Sequence, residues 1–389
     1  MSRSFLARRH QAAQASEMDA ANVTGPVEGL INLTIGDPDM VTDRRIIEDV
    51  YQDLLSGHTH YTDSRGDPEL REAIRAFYQK QYGMTLADGQ VFVCTAGNIA
   101  MYLAMQVLLD PGDEVLIPTP CFGPYLEQVE LAGGVPVAVP TYEERGFRVT
   151  ADDLEAALTE RTKVLLFNTP CNPTGVCYGK DDLKVLADFA KKHDLCVVAD
   201  DIYTDITFDI PFVPIASLPG MAERTVSINS FSKNYTMAGW RIGCIVAPEE
   251  IVTALDYFNC NVVFAAPSPS QRGALAALRH RDEIVPATVA EYKKRLEYAA
   301  MRINAMPGLR VLPPQGTFYL FPCVKPSGLT TAEAVAKLAE AGVLVVPGTA
   351  YGGAAGEGYF RISCTVPVEE LKVAFDRIEA IPEFGGKKA

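Results

Sequence analysis

Four groups of polar residues follow short apolar runs in this sequence. Asn172-Pro173-Thr174-Gly175 comes just after Val164–Asn168, and Asp200-Asp201-Ile202-Tyr203 closes the run Cys196–Asp200. Ser230-Phe231-Ser232-Lys233 closes Thr225–Ser230, and Gly239-Trp240-Arg241-Ile242-Gly243 sets Arg241 eight residues after Lys233. Runs of this kind read as strands, and in open α/β sheets ligands bind beyond the carboxyl ends of strands. Consider one ligand served by all four groups. A buried aspartate keeps a neighbouring ring nitrogen protonated by charge pairing. A lysine forms a Schiff base with an aldehyde. Arginine and serine hold a phosphate through charge-assisted hydrogen bonds. A ring nitrogen, an aldehyde and a phosphate together describe pyridoxal 5′-phosphate, PLP.

Such residues need a scaffold that brings strand ends together. The candidate strands are Val91–Thr95, Glu114–Pro118, Val135–Val139, Val164–Asn168, Cys196–Asp200, Thr225–Ser230 and Ile242–Ala247. Most are continuously apolar rather than alternating, as strands buried on both faces are, so they predict a mostly parallel seven-stranded sheet flanked by helices. Ile99–Leu109 and Asp181–His193 read as helices between strands, the second with Leu183, Leu186, Ala187 and Ala190 at helical spacing. Asp67-Pro68 reads as a cap followed by proline at the first helical position, ahead of an apolar face of Leu70, Ile74, Phe77 and Tyr78. After about residue 286 the texture changes to a long helix at Val289–Ala305, short runs at Arg310–Leu312, Thr317–Phe321, Val343–Val346 and Tyr359–Cys364, and helices at Thr331–Ala341 and Val368–Ile381. The expected organisation is an α/β protein in three parts. Residues 1–45 form an arm contributing to the small domain, residues 46–285 the large ligand-binding domain, and residues 286–389 a small α+β domain.

The ordered set N-P-T-G, D-D-I-Y, S-F-S-K, G-W-R-I-G and F-R-I-S, together with Leu33-Thr34-Ile35-Gly36-Asp37-Pro38, resembles the fold-type I, class I/II aminotransferases related to the aspartate and aromatic aminotransferases. The resemblance runs from Leu33 to Arg361 and implies roles by position. Lys233 would form the Schiff base with PLP. Asp200 would pair with the ring nitrogen, Tyr203 and Asn172 would hydrogen-bond the ring 3′-oxygen, and Phe122 would stack on the ring face. Gly97, Asn98 and Ile99 would receive the phosphate at a helix start, where free backbone N–H groups and the helix dipole attract anions, with Ser230 and Arg241 completing the cup. Tyr61 would reach the phosphate of a neighbouring subunit, so a homodimer is implied. Arg361 would grip the substrate α-carboxylate through a bidentate fork, helped by the backbone at Gly36. The implied activity is ping-pong transfer of an amino group from an L-α-amino acid to a 2-oxo acid. Three positions depart from the family's commonest pattern, namely Asp201 where glutamate is frequent, Asn98-Ile99 in the phosphate turn, and Phe122 in place of Tyr or Trp.

Taken singly, these residues have plainer readings. Asp200 could cap a strand end or bind a metal, Arg361 could pair at the surface, Asn172 could start a turn, and Phe122 could pack in the core. Rival functions also exist. The same apparatus serves PLP-dependent C–S β-lyases, decarboxylases and cyclopropane-forming enzymes, and related chains fused to DNA-binding modules act as PLP-sensing regulators. Ser230-Phe231-Ser232-Lys233 also spells the S-x-x-K of acyl hydrolases, although their companion K-T-G is absent.

Composition narrows the field. Of 389 residues 48% are hydrophobic and 22% charged, which is globular usage and excludes a disordered or fibrous chain. A net charge of −14 argues against nucleic-acid binding. Nine cysteines without a C-x-x-C pair fit free thiols in a reducing compartment. His58-Thr59-His60 has no metal-ligand partners at suitable spacing. Arg3, Arg8 and Arg9 precede no apolar stretch, and Ile99–Leu109 is too short to span a bilayer. The expectation is a soluble, cytoplasmic protein that uses PLP, binds no metal, and engages neither nucleic acid nor membrane.

Overall fold

The computed structural model describes residues 5, 6, 18, 21 and 28–385. Arg3, Arg8, Arg9 and most of the expected arm before residue 28 lie outside the described residues. Seven strands form the main sheet: β1 (Val91–Cys94), β2 (Glu114–Thr119), β3 (Val135–Pro140), β4 (Thr162–Asn168), β5 (Cys196–Asp200), β6 (Thr225–Ser230) and β7 (Gly243–Val246). Their spatial order is β1-β7-β6-β5-β4-β2-β3. All neighbours are parallel except β7, which runs antiparallel to both β6 and β1.

The apolar runs are continuous because both faces of the central strands are covered. Leu165, Phe167, Val197 and Ala199 pack into one cluster, while Val164, Leu166 and Val198 pack into another. That is a period of two with no wet face, each fully buried aliphatic side chain adding about 1.5–3 kcal/mol. Register then aligns the strand ends. Asn168 lies opposite Asp200, Asp200 opposite Ile228, and Ser230 opposite Gly243. The polar residues that close three strands therefore sit along one edge of the sheet.

Helices cover the sheet. Helix α1 (Pro68–Tyr82) is capped by Asp67, whose carboxylate accepts from Glu69 N–H at 2.9 Å, and it ends at Gly83 with φ +68°. Helix α2 (Ala96–Leu108) follows β1 directly and carries no side-chain cap. It begins three residues before the expected Ile99. Helix α3 (Pro124–Leu131) follows β2, α4 (Lys180–Lys192) lies between β4 and β5, and the single turn α5 (Phe231–Asn234) follows β6.

Helix α6 (Arg281–Asn304) starts eight residues before the expected Val289 and runs through Pro286. The expected domain boundary at 285/286 thus falls inside a helix. Beyond it, β8 (Tyr319–Leu320), β9 (Val346–Pro347) and β10 (Phe360–Ser363) make an antiparallel sheet in the order β9-β10-β8. Arg310–Leu312, a short run in the sequence, contributes one isolated bridge, Arg310 to Cys323. Helices α7 (Thr331–Glu340) and α8 (Val368–Glu379) pack there. Ile31–Asn32 pairs in parallel with Val343–Leu344, and Ile31 and Leu33 share a cluster with Leu296, Val343, Phe360 and Phe375. The segment after residue 28 is thereby stitched to the carboxyl-terminal elements. Among the described residues no helix is long and apolar enough to cross a membrane, no cluster could hold a metal ion, and the nine cysteines are free.

Candidate active site

Two adjoining cavities lie at the strand ends. The larger, of about 340 Å³, is lined by Gly36, Phe122, Asn172, Asp200, Tyr203, Lys233 and Arg361 among others. The second, of about 220 Å³, is lined by Gly97, Asn98, Ser230 and Arg241, and shares Phe122, Asp200 and Lys233 with the first. Eleven of the residues singled out in the sequence thus surround one continuous space.

Asp200 ends β5 and is buried. Burial pushes its carboxyl from 3.8 up to about 6, although a hydrogen bond from Tyr125 and another from the Ile202 N–H pull the other way. The Tyr125 hydroxyl donates to Oδ2, and the Ile202 N–H donates to Oδ1 at 3.3 Å. Asn168 Nδ2 donates to the Asp200 carbonyl at 2.7 Å, and Asn168 Oδ1 accepts from Asn172 N–H at 2.7 Å. One amide thus ties the end of β5 to the Asn172 turn. Neither Tyr125 nor Asn168 was assigned from the sequence. A signal for Tyr125 was present, since it stands three residues after Phe122 and the two rings meet edge to face at 5.5 Å.

Lys233 lies on α5, whose first turn is capped by Ser230 Oγ accepting from Ser232 N–H at 3.2 Å. Its Nζ donates to the Gly36 carbonyl at 2.5 Å. Gly36 has to be glycine, because a Cβ there would stand 1.8 Å from the Tyr319 hydroxyl. The closing glycine of G-W-R-I-G has a similar reason. A Cβ at Gly243 would stand 2.7 Å from the Asn229 carbonyl and 3.2 Å from Gly97 N. Arg241 adopts a left-handed backbone (φ +53°), and its Nη1 donates to the Ala238 carbonyl at 2.8 Å.

Arg361 sits on β10 with only 3% of its surface exposed. Nη1 donates to Asn172 Oδ1 at 3.2 Å, Nη2 donates to the Thr34 carbonyl, and Nε has no partner. No carboxylate pairs with it among the described residues. A buried guanidinium left without a counter-ion is costly. Tyr203 is fully buried, which raises its hydroxyl pKa well above the ordinary value, and its hydroxyl donates to that of Tyr319 at 3.4 Å.

Two expected residues lie elsewhere. Ile99 packs against the core cluster under α2 and does not line the cavity. Because α2 begins at Ala96, its unbonded first-turn N–H groups belong to residues up to Asn98, and Ala96 takes the place expected for Ile99. Tyr61 is 89% exposed, with its ring edge-on to Phe264 at 5.3 Å, and it lines a separate cavity with His60 and Pro267. Asp201, also buried, leaves Oδ2 without a partner and does not line the site.

The family model for aminotransferase class I and II matches residues 28–378. The chain belongs to the class I and II aminotransferases. It is 42% identical over 370 residues to the aspartate aminotransferase of Pyrococcus abyssi, covering 92% of this chain and 93% of that one. It is 41% identical over 366 residues to aromatic-amino-acid aminotransferase 2 of Thermococcus litoralis, covering 91% and 92%. Among solved structures, the aromatic aminotransferase of Pyrococcus horikoshii superposes with a TM-score of 0.88 at 40% identity, over 92% of this chain and 96% of that one. This aminotransferase therefore moves amino groups, and the strand-end cavities gather Asp200, Lys233, Arg241 and Arg361. The acyl-hydrolase reading falls away, as Ser230 Oγ is engaged with Ser232 and the Ile242 carbonyl while Lys233 reaches Gly36.

Proposed function

We propose that the joined cavities bind PLP and transfer an amino group between an L-α-amino acid and a 2-oxo acid. One observation carries this reading. Asp200, Lys233, Arg241 and Arg361 surround one space, and none has a partner of opposite charge among the described residues. The cofactor and substrate offer the missing counterparts. A cationic ring nitrogen suits Asp200, an aldehyde suits Lys233, a phosphate suits Arg241, Ser230 and the open N–H groups at Ala96–Asn98, and a carboxylate suits Arg361. The donor set fits the group.

When bound, PLP supplies an aldehyde that condenses with amines and a protonated ring that draws electrons from the substrate α-carbon. The remaining work falls to the chain. The Asp200 carboxylate would hold the proton on the ring nitrogen, and the Tyr125 hydroxyl holds that carboxylate in place. Tyr203 and Asn172 would hydrogen-bond the 3′-oxygen, and Phe122 would cover the ring face. Arg361, with the backbone at Gly36, fixes the substrate carboxylate. Lys233 Nζ, once freed, takes the proton from the substrate α-carbon as general base and later returns one as general acid. In this reading residues 46–285 carry the cofactor, while residues 286–389, joined by the segment before 46, carry Arg361.

A homodimer belongs to the same reading. Tyr61 is exposed with its ring against the exposed Phe264, and a second copy seated there would receive Tyr61 at its phosphate cup. The reducing interior suggested by nine free thiols favours the cytoplasm. The test is direct. Purified protein incubated with PLP should gain visible absorbance, and borohydride should fix the cofactor on the peptide containing Lys233. Lys233→Ala should fold, lose the reducible adduct and lose turnover, whereas a variant still turning over near the wild-type rate removes Lys233 from the scheme.

A further inference from the structure

We propose that Tyr319 on β8 is a positioning residue of the reaction, its ring fixing the plane of the Arg361 guanidinium and its hydroxyl supporting the hydroxyl of Tyr203. The inference rests on the cofactor reading above and adds a residue to it.

Tyr319 is buried and lines the larger cavity. Strand register brings it to Arg361. Ser363 lies opposite Tyr319 and Ile362 opposite Leu320, so Arg361 is the diagonal neighbour of Tyr319 on the same face of the sheet, within reach of an aromatic side chain. The Arg361 Cζ stands 4.4 Å from the Tyr319 ring centroid and 5.1 Å from that of Tyr351, both inside the range of a cation–π contact. A bidentate grip on a carboxylate works only in the plane of the guanidinium. Two bonds, to Asn172 and Thr34, hold the Nη edge of Arg361, and the Tyr319 and Tyr351 rings add contacts at its Cζ.

The hydroxyl has a second task. Tyr203 donates to Tyr319 Oη at 3.4 Å. A phenol has a single O–H and also accepts. Once Tyr203 turns its proton to a ligand oxygen, its own oxygen is left to accept, and the Tyr319 O–H is the donor within reach. A hydroxyl that accepts one hydrogen bond donates a stronger one. The fit of Gly36 against the Tyr319 hydroxyl holds the phenol where this exchange can happen.

The experiment uses PLP-loaded Tyr319→Phe and Tyr319→Leu beside wild type, reading amino-acid KM, kcat and the pH midpoint of the bound cofactor's visible absorbance. Tyr319→Phe keeps the ring and loses the relay. It should leave KM within about twofold and move the absorbance midpoint upward, because a weaker Tyr203 donor stabilises the 3′-oxygen anion less. Tyr319→Leu should raise KM by about tenfold, the scale of a lost desolvated cation–π contact. An unmoved midpoint in Tyr319→Phe overturns the proposal, as does an unmoved KM in Tyr319→Leu. If the leucine variant fails to fold, the midpoint of the phenylalanine variant decides alone. A wild-type protein that stays colourless with PLP overturns the cofactor reading instead, which is a separate result.

Discussion

Replacing Asp200 by asparagine separates what the buried carboxylate costs from what it does. Burial raises this carboxyl from 3.8 to about 6. A raised carboxyl pKa means that the folded state favours the neutral acid. The stability linked to it is fully present below 3.8 and is lost as pH rises through about 6. That span of roughly 2 pH units, at about 1.4 kcal/mol each, amounts to about 3 kcal/mol once ionisation is complete. Asparagine keeps the acceptor for Tyr125 and never ionises. The stability gap in favour of Asp200→Asn should therefore widen by about 2 kcal/mol between about pH 4.5 and about pH 8. Denaturant midpoints of the two cofactor-free proteins, taken at one protein concentration across that range, read the gap. Adding PLP should reverse the order at the higher pH, because the wild-type carboxylate gains a cationic partner that the amide cannot hold. Stability curves that run parallel across the pH range would refute the reasoning, since Asp200 would then not be the group that burial penalises.

Arg361→Ala should raise the amino-acid KM by about a hundredfold or more, with a smaller loss in kcat, the scale of losing a charge-assisted bidentate contact. Steady-state kinetics check this, and an unchanged KM removes the residue from carboxylate binding. Tyr61→Phe should weaken PLP binding by about tenfold, the scale of one hydrogen bond to a charged group, without altering the sedimentation of the dimer. Full cofactor affinity in a monomer would show that Tyr61 serves no neighbouring site.

Much of the sheet was legible because its strands are buried on both faces. Val164–Asn168 and Cys196–Asp200 are unbroken apolar runs that end on the very residues the register later aligns. The charged site residues were legible for a related reason, since Asp200 and Lys233 stand just where such runs stop. Residues acting on those groups from distant elements were not. Tyr125 meets Asp200 across 75 positions, and Tyr319 meets Tyr203 across 116, separations at which local periodicity carries no information. Helix starts failed where the local signal misleads. Pro286 sits inside the first two turns of α6, and α2 begins on Ala96 at φ +66° with no capping side chain to announce it. Ile99 entered the expected site through the family resemblance, and its packing under α2 follows from the helix start at Ala96.

Arg361 belongs to the middle strand of a three-stranded sheet, bound by backbone on both flanks, to Val346 on one side and through Ile362 to Leu320 on the other. If Arg361 holds the substrate carboxylate as proposed, a grip woven into a sheet cannot be retuned by a loop change without unravelling the weave. Broadening the substrate range of this enzyme by directed evolution would therefore leave that strand alone and draw on wall positions such as Ile35, Asp37 and Ala238, which line the same space from outside any strand.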